Sequence, residues 1–192
     1  MRTPLFALIF MIALVSPAAA QTITLGNLRL DFSDEAMRPR SDRHKQFVAS
    51  YLAAVGSGKP DAIRALVHPA SLACSTSPPA REYLHEIHTR DANRSIPLDA
   101  RVIIVPMTGD LPMAPVLAEM TKLPVSATEI FALDYKAEER DSKGVLTRHV
   151  GGTVMRQLAP DGDRLAIVEY CLTEKGETAW RQKRDQKRDK KG

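Results

Sequence analysis

Four titratable side chains crowd one short stretch, Glu82, His85, Glu86 and His88, and three more, Asp134, His149 and Glu169, stand in segments of a different pattern. Glu82 and His85, like His85 and His88, are three residues apart, a spacing that puts side chains on one helical face and that metal sites in helices use. Glu82, Glu86 and Arg90, however, also make a four-spaced charged stripe opposite Tyr83, Leu84 and Ile87, the pattern of a solvated face. The solvated-stripe reading is the stronger of the two, and a di-metal site would need a second such helix, which no other segment supplies. No metal is therefore expected.

Glu169 keeps apolar company, Leu165, Ile167 and Cys171, in an alternating segment. Burial raises a carboxyl pKa and can make a general acid or base of it. The alternative is a carboxylate near a sheet edge, paired with an arginine such as Arg148 or Arg156. Asp134 and Tyr135 are adjacent, so on a strand they face opposite sides: Tyr135 goes with Phe131 and Leu133, Asp134 with Ile130 and Ala132. His149 shares its side with Thr147, Gly151, Thr153 and Met155. Glu169, Asp134 and His149 are thus the candidate catalytic groups, and Tyr51, Phe131, Tyr135 and Glu169 the candidate lining of a ligand pocket. The sequence contains no nucleophile elbow, phosphate-cradling glycine loop, dinucleotide fingerprint or zinc-protease helix. That argues against a nucleotide cofactor, and none is expected.

These groups must be positioned by two kinds of element. Phe47, Val48, Tyr51, Leu52 and Val55 fall on one face of an amphipathic helix from Ser41 to about Val55, ended by Gly56-Ser57-Gly58. Pro60 opens a second short helix carrying Ile63, Leu66 and Val67, stopped by His68-Pro69, and Ser77 with Pro78 opens a third. The period then changes from 3.6 to 2. Val102 to Val105, Pro124 to Lys136, Val145 to Leu158 and Leu165 to Thr173 read as strands, with turns at Asp141-Ser142-Lys143-Gly144 and Asp161-Gly162-Asp163. Gly151-Gly152, inside a strand, predicts a bend or bulge. Thr22 to Phe32 reads as a strand or extended arm, and Thr108 to Leu123 as a loop with one helical turn near Val116 to Thr121. The fold class is α+β, with N-terminal helices packed on a curved antiparallel sheet.

The stretch from Phe47 to Pro69, with its long helix, the Gly56-Ser57-Gly58 turn, and a short helix ending in His68-Pro69, resembles the opening of the nuclear-transport-factor-2-like superfamily, also called SnoaL-like or ketosteroid-isomerase-like. The likeness in order and pattern runs from about residue 41 to 175. It implies a cone whose helices line one side of a deep pocket. That superfamily holds isomerases, dehydratases, hydrolases and members without chemistry, so the fold alone does not set the activity. No catalytic residue of the isomerases carries over to a position of this chain.

The two ends and the cysteines supply the rest. Arg2, the apolar run Leu5 to Val15 and Ala18-Ala19-Ala20 predict a secretory signal peptide over residues 1–20, cleaved near Ala20. The protein is then periplasmic or secreted, with an arm over 21–40, one domain over 41–175 and a basic tail over 176–192. The formal charge of +4 is concentrated in that tail, so a nucleic-acid-binding face on the folded body is not expected. Trp180 is the last apolar residue, so the tail has no face to bury. It is either a tether to an anionic surface or a solvated end. Cys74 and Cys171, in a chain sent to an oxidising compartment, are expected to form a structural disulfide, the alternative being two buried thiols that never meet. The expected function is binding of a small apolar ligand or a protein partner in or around the cone, with a homodimer through the sheet as a further expectation. The alternative is a cofactor-free isomerase or hydro-lyase using an inward carboxylate.

Overall fold

A computed structural model describes residues 22–25, 28–31, 41–97, 100–109, 114–140 and 146–189, with side chains described except at 22–31, 135–140, 146–152 and 187–189. The predicted signal peptide and the Asp141 to Gly144 turn lie outside the described residues. Among those described, no helix is long and apolar enough to cross a membrane.

The helical half forms where the sequence supplies caps. Ser41 accepts a hydrogen bond from the His44 amide (3.1 Å) and opens α1, Asp42–Gly56, which buries Phe47, Tyr51, Ala54 and Val55 at helical spacing. Gly58 turns the chain at φ 66°, a conformation that costs other residues more, and Pro60 begins α2, Pro60–Arg64. The His68-Pro69 pair does more than stop that helix. Proline at a first turn is as good a start as a stop, so α3, Pro69–Ala73, follows at once, with His68 Nδ1 accepting from the Ala70 amide (3.1 Å). Ser77 then caps α4, Pro78–Ala92, where Ala80, Leu84, His88, Asp91 and Ala92 are buried.

The strands form an antiparallel sheet in the order β1 (Thr22–Leu25), β2 (Leu28–Asp31), β3 (Arg101–Thr108), β5 (Glu129–Arg140), β6 (Leu146–Asp161), β7 (Arg164–Val168). A small separate pair joins β4, Thr121–Lys122, to β8, Cys171–Leu172, and the helical turn predicted near Val116 is α5, Pro115–Met120. The fold class is α+β as expected. Two local expectations fail. The strand predicted over Leu165 to Thr173 breaks at Glu169-Tyr170 into β7 and β8. Gly151 and Gly152 pair regularly with Lys136 and Tyr135, and the register slips between Glu139 and Arg140 instead. The tail is a helix, α6, Glu174–Asp189.

Strand alternation sorts the core into two layers. Ile104, Phe131, Leu133, Val154, Leu158, Leu165 and Ile167 face the helices and pack with Phe47, Tyr51, Ile63 and Val67. The Phe131 ring meets Phe47 and Tyr51 edge-on at 5.2 and 5.1 Å. On the other face Val105, Met107, Ile130, Ala159 and Val168 are covered by Leu123, Val125 and Ala127. The open edge of β7 is occupied by the chain after α2. His68 N donates to Ile167 O and Ile167 N to Leu66 O, both at 2.8 Å, which removes a free strand edge.

Cys74 and Cys171 form the expected disulfide, with Cα atoms 5.8 Å apart and a sequence separation of 97. It ties the end of the α3 turn to β8, next to the break that holds Glu169.

Candidate functional site

Where α4 crosses the sheet, charge replaces hydrocarbon in the buried layer. The α4 positions Leu84, His88 and Asp91 continue one stripe, and Asp91 is fully buried. Its Oδ1 accepts from Arg94 Nε (3.1 Å) and its Oδ2 from Arg156 Nε (3.0 Å), with Arg156 Nη2 bonded to the same oxygen. Arg156 is on β6 between Val154 and Leu158, so it faces the helices. Burial alone would lower its pKa, but the Asp91 carboxylate, together with Glu169, outweighs that and raises it. A buried carboxylate held by a forked guanidinium satisfies the rule that buried charge must be paired.

Glu169 is the second carboxyl of this cluster. The break after β7 turns it toward Ser71, whose Oγ accepts its amide N–H (3.1 Å), and the Cys74–Cys171 bridge anchors both sides of that contact. Burial pushes its pKa from 4.5 up to about 7, with Arg156 opposing and Asp91 adding to the rise. Its Oε1 has no hydrogen-bond partner among the described residues. The same is true of Tyr51 Oη and His88 Nε2. Burial, reinforced by Asp91, raises the Tyr51 hydroxyl to about 12, and burial lowers His88 to about 4, against the pull of Asp91. At neutral pH the cluster therefore offers a neutral phenol, a neutral imidazole and a half-ionised carboxyl around one ion pair.

His88 also borders an open cleft between α2 and α4. The cleft is open and small, a cavity of about 30 Å³, with Arg64, Ser75, Arg81, Leu84 and His85 on its walls.

The predicted site residues separate. Glu169 is buried beside Arg156, one of the two arginines named as its partner, although the arginine's hydrogen bonds go to Asp91. Tyr51 and Phe131 are fully buried, and their rings fill the aromatic core rather than border either described cavity. Asp134 is half-buried on the strand face opposite Phe131 and Leu133, aligned with Arg101 and Thr153, away from Glu169. Tyr135 pairs with Gly152 and His149 with Glu138 in the backbone register, and both side chains lie outside those described. His85, exposed, and His88, buried, both border the cleft, but no cluster of three or more His, Cys, Asp or Glu side chains able to hold a metal forms among the described residues. Sequence reading missed Asp91. Its signal was the i, i+4, i+7 run from Leu84 through His88.

The C-terminal helix closes one flank, and it corrects the expectation of a tail with no face to bury. Trp180 meets Tyr83 edge-on at 5.3 Å, Ser77 Oγ donates to Glu177 (2.5 Å), and Arg184 Nη1 donates to both oxygens of Glu82 (2.8 and 2.7 Å). Gly176 lets the helix approach so closely that a Cβ there would overlap the Met120 carbonyl oxygen.

No family model, curated protein or solved structure matches the chain.

Proposed function

We propose that this is an exported domain of the nuclear-transport-factor-2-like type that binds a small ligand at the polar cluster and the cleft beside it. The observation that carries the reading is that three buried polar atoms, Tyr51 Oη, His88 Nε2 and Glu169 Oε1, have no hydrogen-bond partner among the described residues, on side chains that each feel the charges of Asp91 and Arg156. Orphaned buried polar groups cost roughly 1–3 kcal/mol each, and a bound polar group or water offsets that cost. The disulfide and the lack of a membrane-crossing helix among the described residues support export. Helices followed by an antiparallel meander support the superfamily. Native mass spectrometry of protein purified from its own host tests the proposal. A retained small molecule, lost in His88→Asn, is expected; wild-type protein at its bare sequence mass would overturn it.

Glu169 favours a second reading. A carboxyl near pKa 7 with a free oxygen is suited to proton transfer, as a cofactor-free isomerase or hydro-lyase requires. Deuterium exchange from D2O into carbonyl substrates, abolished by Glu169→Gln, is the outcome that reading demands. The basic residues at the end of α6 are proposed to contact an anionic surface, at roughly 1 kcal/mol per charge close to it.

A further inference from the structure

The cleft at His88 carries charge of one sign beyond what its own acid can neutralise. Arg64 and Arg81 both border it, and Asp61 is the one carboxylate on its wall. Arg64 is exposed and makes no ion pair among the described residues. Arg81 is also exposed, but its Nη1 donates to the Thr76 carbonyl (2.7 Å), which holds the guanidinium in place. His88, 2 % exposed, forms part of the wall, and its buried Nε2 has no hydrogen-bond partner among the described residues. Leu84 adds a short apolar wall, too small for a large hydrophobic body.

Resting on the small-ligand reading above, we propose that the ligand is an oxyanion, a phosphate or carboxylate group, gripped by Arg64 and Arg81 and hydrogen-bonded by His88. Guanidinium groups suit this class because their planar fork matches two oxygens of a carboxylate or phosphate. The pKa of about 4 keeps the His88 ring neutral across the physiological range, so its Nε2 serves as a single directional contact rather than a third charge. The Asp91–Arg156 pair behind it is already neutralised, so the two cleft arginines supply the attraction.

The test is titration of the mature chain with sodium phosphate, and separately with sodium acetate, at constant ionic strength in chloride, read by the ring-nitrogen NMR shifts of His88 and by calorimetry. Saturable movement of His88 by one of the two anions is expected, and which anion acts assigns phosphate or carboxylate. Arg64→Ala and Arg81→Ala, both at exposed positions, should each weaken binding about tenfold or more, since a hydrogen bond to a charged group contributes about 1.5–3 kcal/mol. Arg64→Glu should abolish it. Unmoved His88 resonances with both anions, or unchanged affinity in the arginine variants, would overturn the proposal. A neutral or cationic molecule retained in native mass spectrometry, alongside failure of both anions, would remove the oxyanion inference and leave the binding site standing. Failure of both experiments would remove the two together.

Discussion

The layer between helices and sheet has an apolar half that is fully closed and a charged half that is buried except at its arginines. Around Phe131 the interior is closed by ring contacts with Phe47 and Tyr51, and Phe131, Leu133 and Ile63 have essentially no exposure. Around Asp91, on α4, the carboxylate is as fully buried while its arginine partners keep some exposure, and the groups there need partners. Apolar packing leaves nothing unsatisfied. The charged half satisfies its ion pair and leaves three polar atoms over. The difference teaches where function is to be sought: packing explains the first half fully, whereas the second is retained at a stability cost that packing alone would avoid.

The largest expected effects come from breaking each half once. Phe131→Ala should cost about 3–5 kcal/mol through lost contacts and a cavity. Asp91→Ala should cost a similar 3–5 kcal/mol for a different reason, because it strands the Arg156 charge in the interior. The two separate on a second change. The double variant Asp91→Leu with Arg156→Met should return to within about 2 kcal/mol of the native protein, since an apolar pair of similar volume replaces a buried ion pair at little cost. Urea unfolding decides this. If the double variant stays as unstable as Asp91→Ala, the charged half is structural in a way that hydrocarbon cannot imitate, and the comparison fails.

Much of the apolar half was legible in the sequence, and the charged half was not. The stripe Phe47, Tyr51, Val55 and the alternation Phe131, Leu133 each announce a buried face, because a period in hydrophobicity is a local signal. The disulfide was legible from two cysteines in a chain expected to be exported. Asp91 continues the i, i+4, i+7 stripe of Leu84 and His88, but its charge reads as solvated until its partner is known, and Arg156 lies 65 residues along the chain. Glu169 was found for the right reason, its apolar neighbours, but the strand break that turns it toward Ser71 depends on a contact with α3 that periodicity does not encode. Gly176 gave no hint of its role because the atom it makes room for, the Met120 carbonyl oxygen, is on a distant segment.

The pH dependence sharpens the comparison further. Glu169 has a folded value of about 7 against 4.5, so its contribution is full below about 4.5 and is lost as pH rises through 7. His88 has a folded value of about 4 against 6.5, so its contribution is full above about 6.5 and is lost as pH falls through 4. The two slopes oppose and should nearly offset between pH 4.5 and 6.5. Glu169→Gln removes the falling slope, so that variant should gain on the order of 2–3 kcal/mol between pH 4 and 7 where the native protein changes little. His88→Asn should show the reverse, a loss across the same interval. Phe131→Ala, from the apolar half, should parallel the native curve. Parallel curves for all three would mean that neither titrating group is dry.

A smaller effect tests what keeps water out of the charged half. Tyr83, raised to about 12 first by burial and then by Glu169, is covered by Trp180 of α6, and α6 is seated through Gly176. Gly176→Ala forces backbone apart at Met120 and should cost about 1–3 kcal/mol by overpacking. Moving α6 away should also lower the Glu169 pKa from about 7 toward its ordinary 4.5, because burial is the first cause of its rise. Carboxyl titration by NMR measures this. A destabilised variant whose Glu169 titrates unchanged would show that α6 shields only its own flank.

The smallest effect should come from cutting α6 after Trp180, which leaves Gly176, Glu177 and Trp180 in place and removes Arg184. The Arg184–Glu82 pair has side chains about half exposed (50 % and 46 %), and exposed pairs contribute about 0–1 kcal/mol because water already solvates both ends. Truncation should therefore lower the melting temperature by no more than about 4 °C, given roughly 2–4 °C per kcal/mol for a chain of this size. The Glu169 pKa should not move. Binding to vesicles of anionic lipid should fall in the same truncated protein, and the gap from the full chain should shrink as salt rises, since exposed charges are screened beyond about 8 Å at physiological ionic strength. Those outcomes separate two roles within one helix: residues before position 181 seal the charged half, and residues after it meet an external surface. A melting loss well beyond 4 °C would place the seal in the basic segment too, and equal vesicle binding by both forms at low salt would remove the tether.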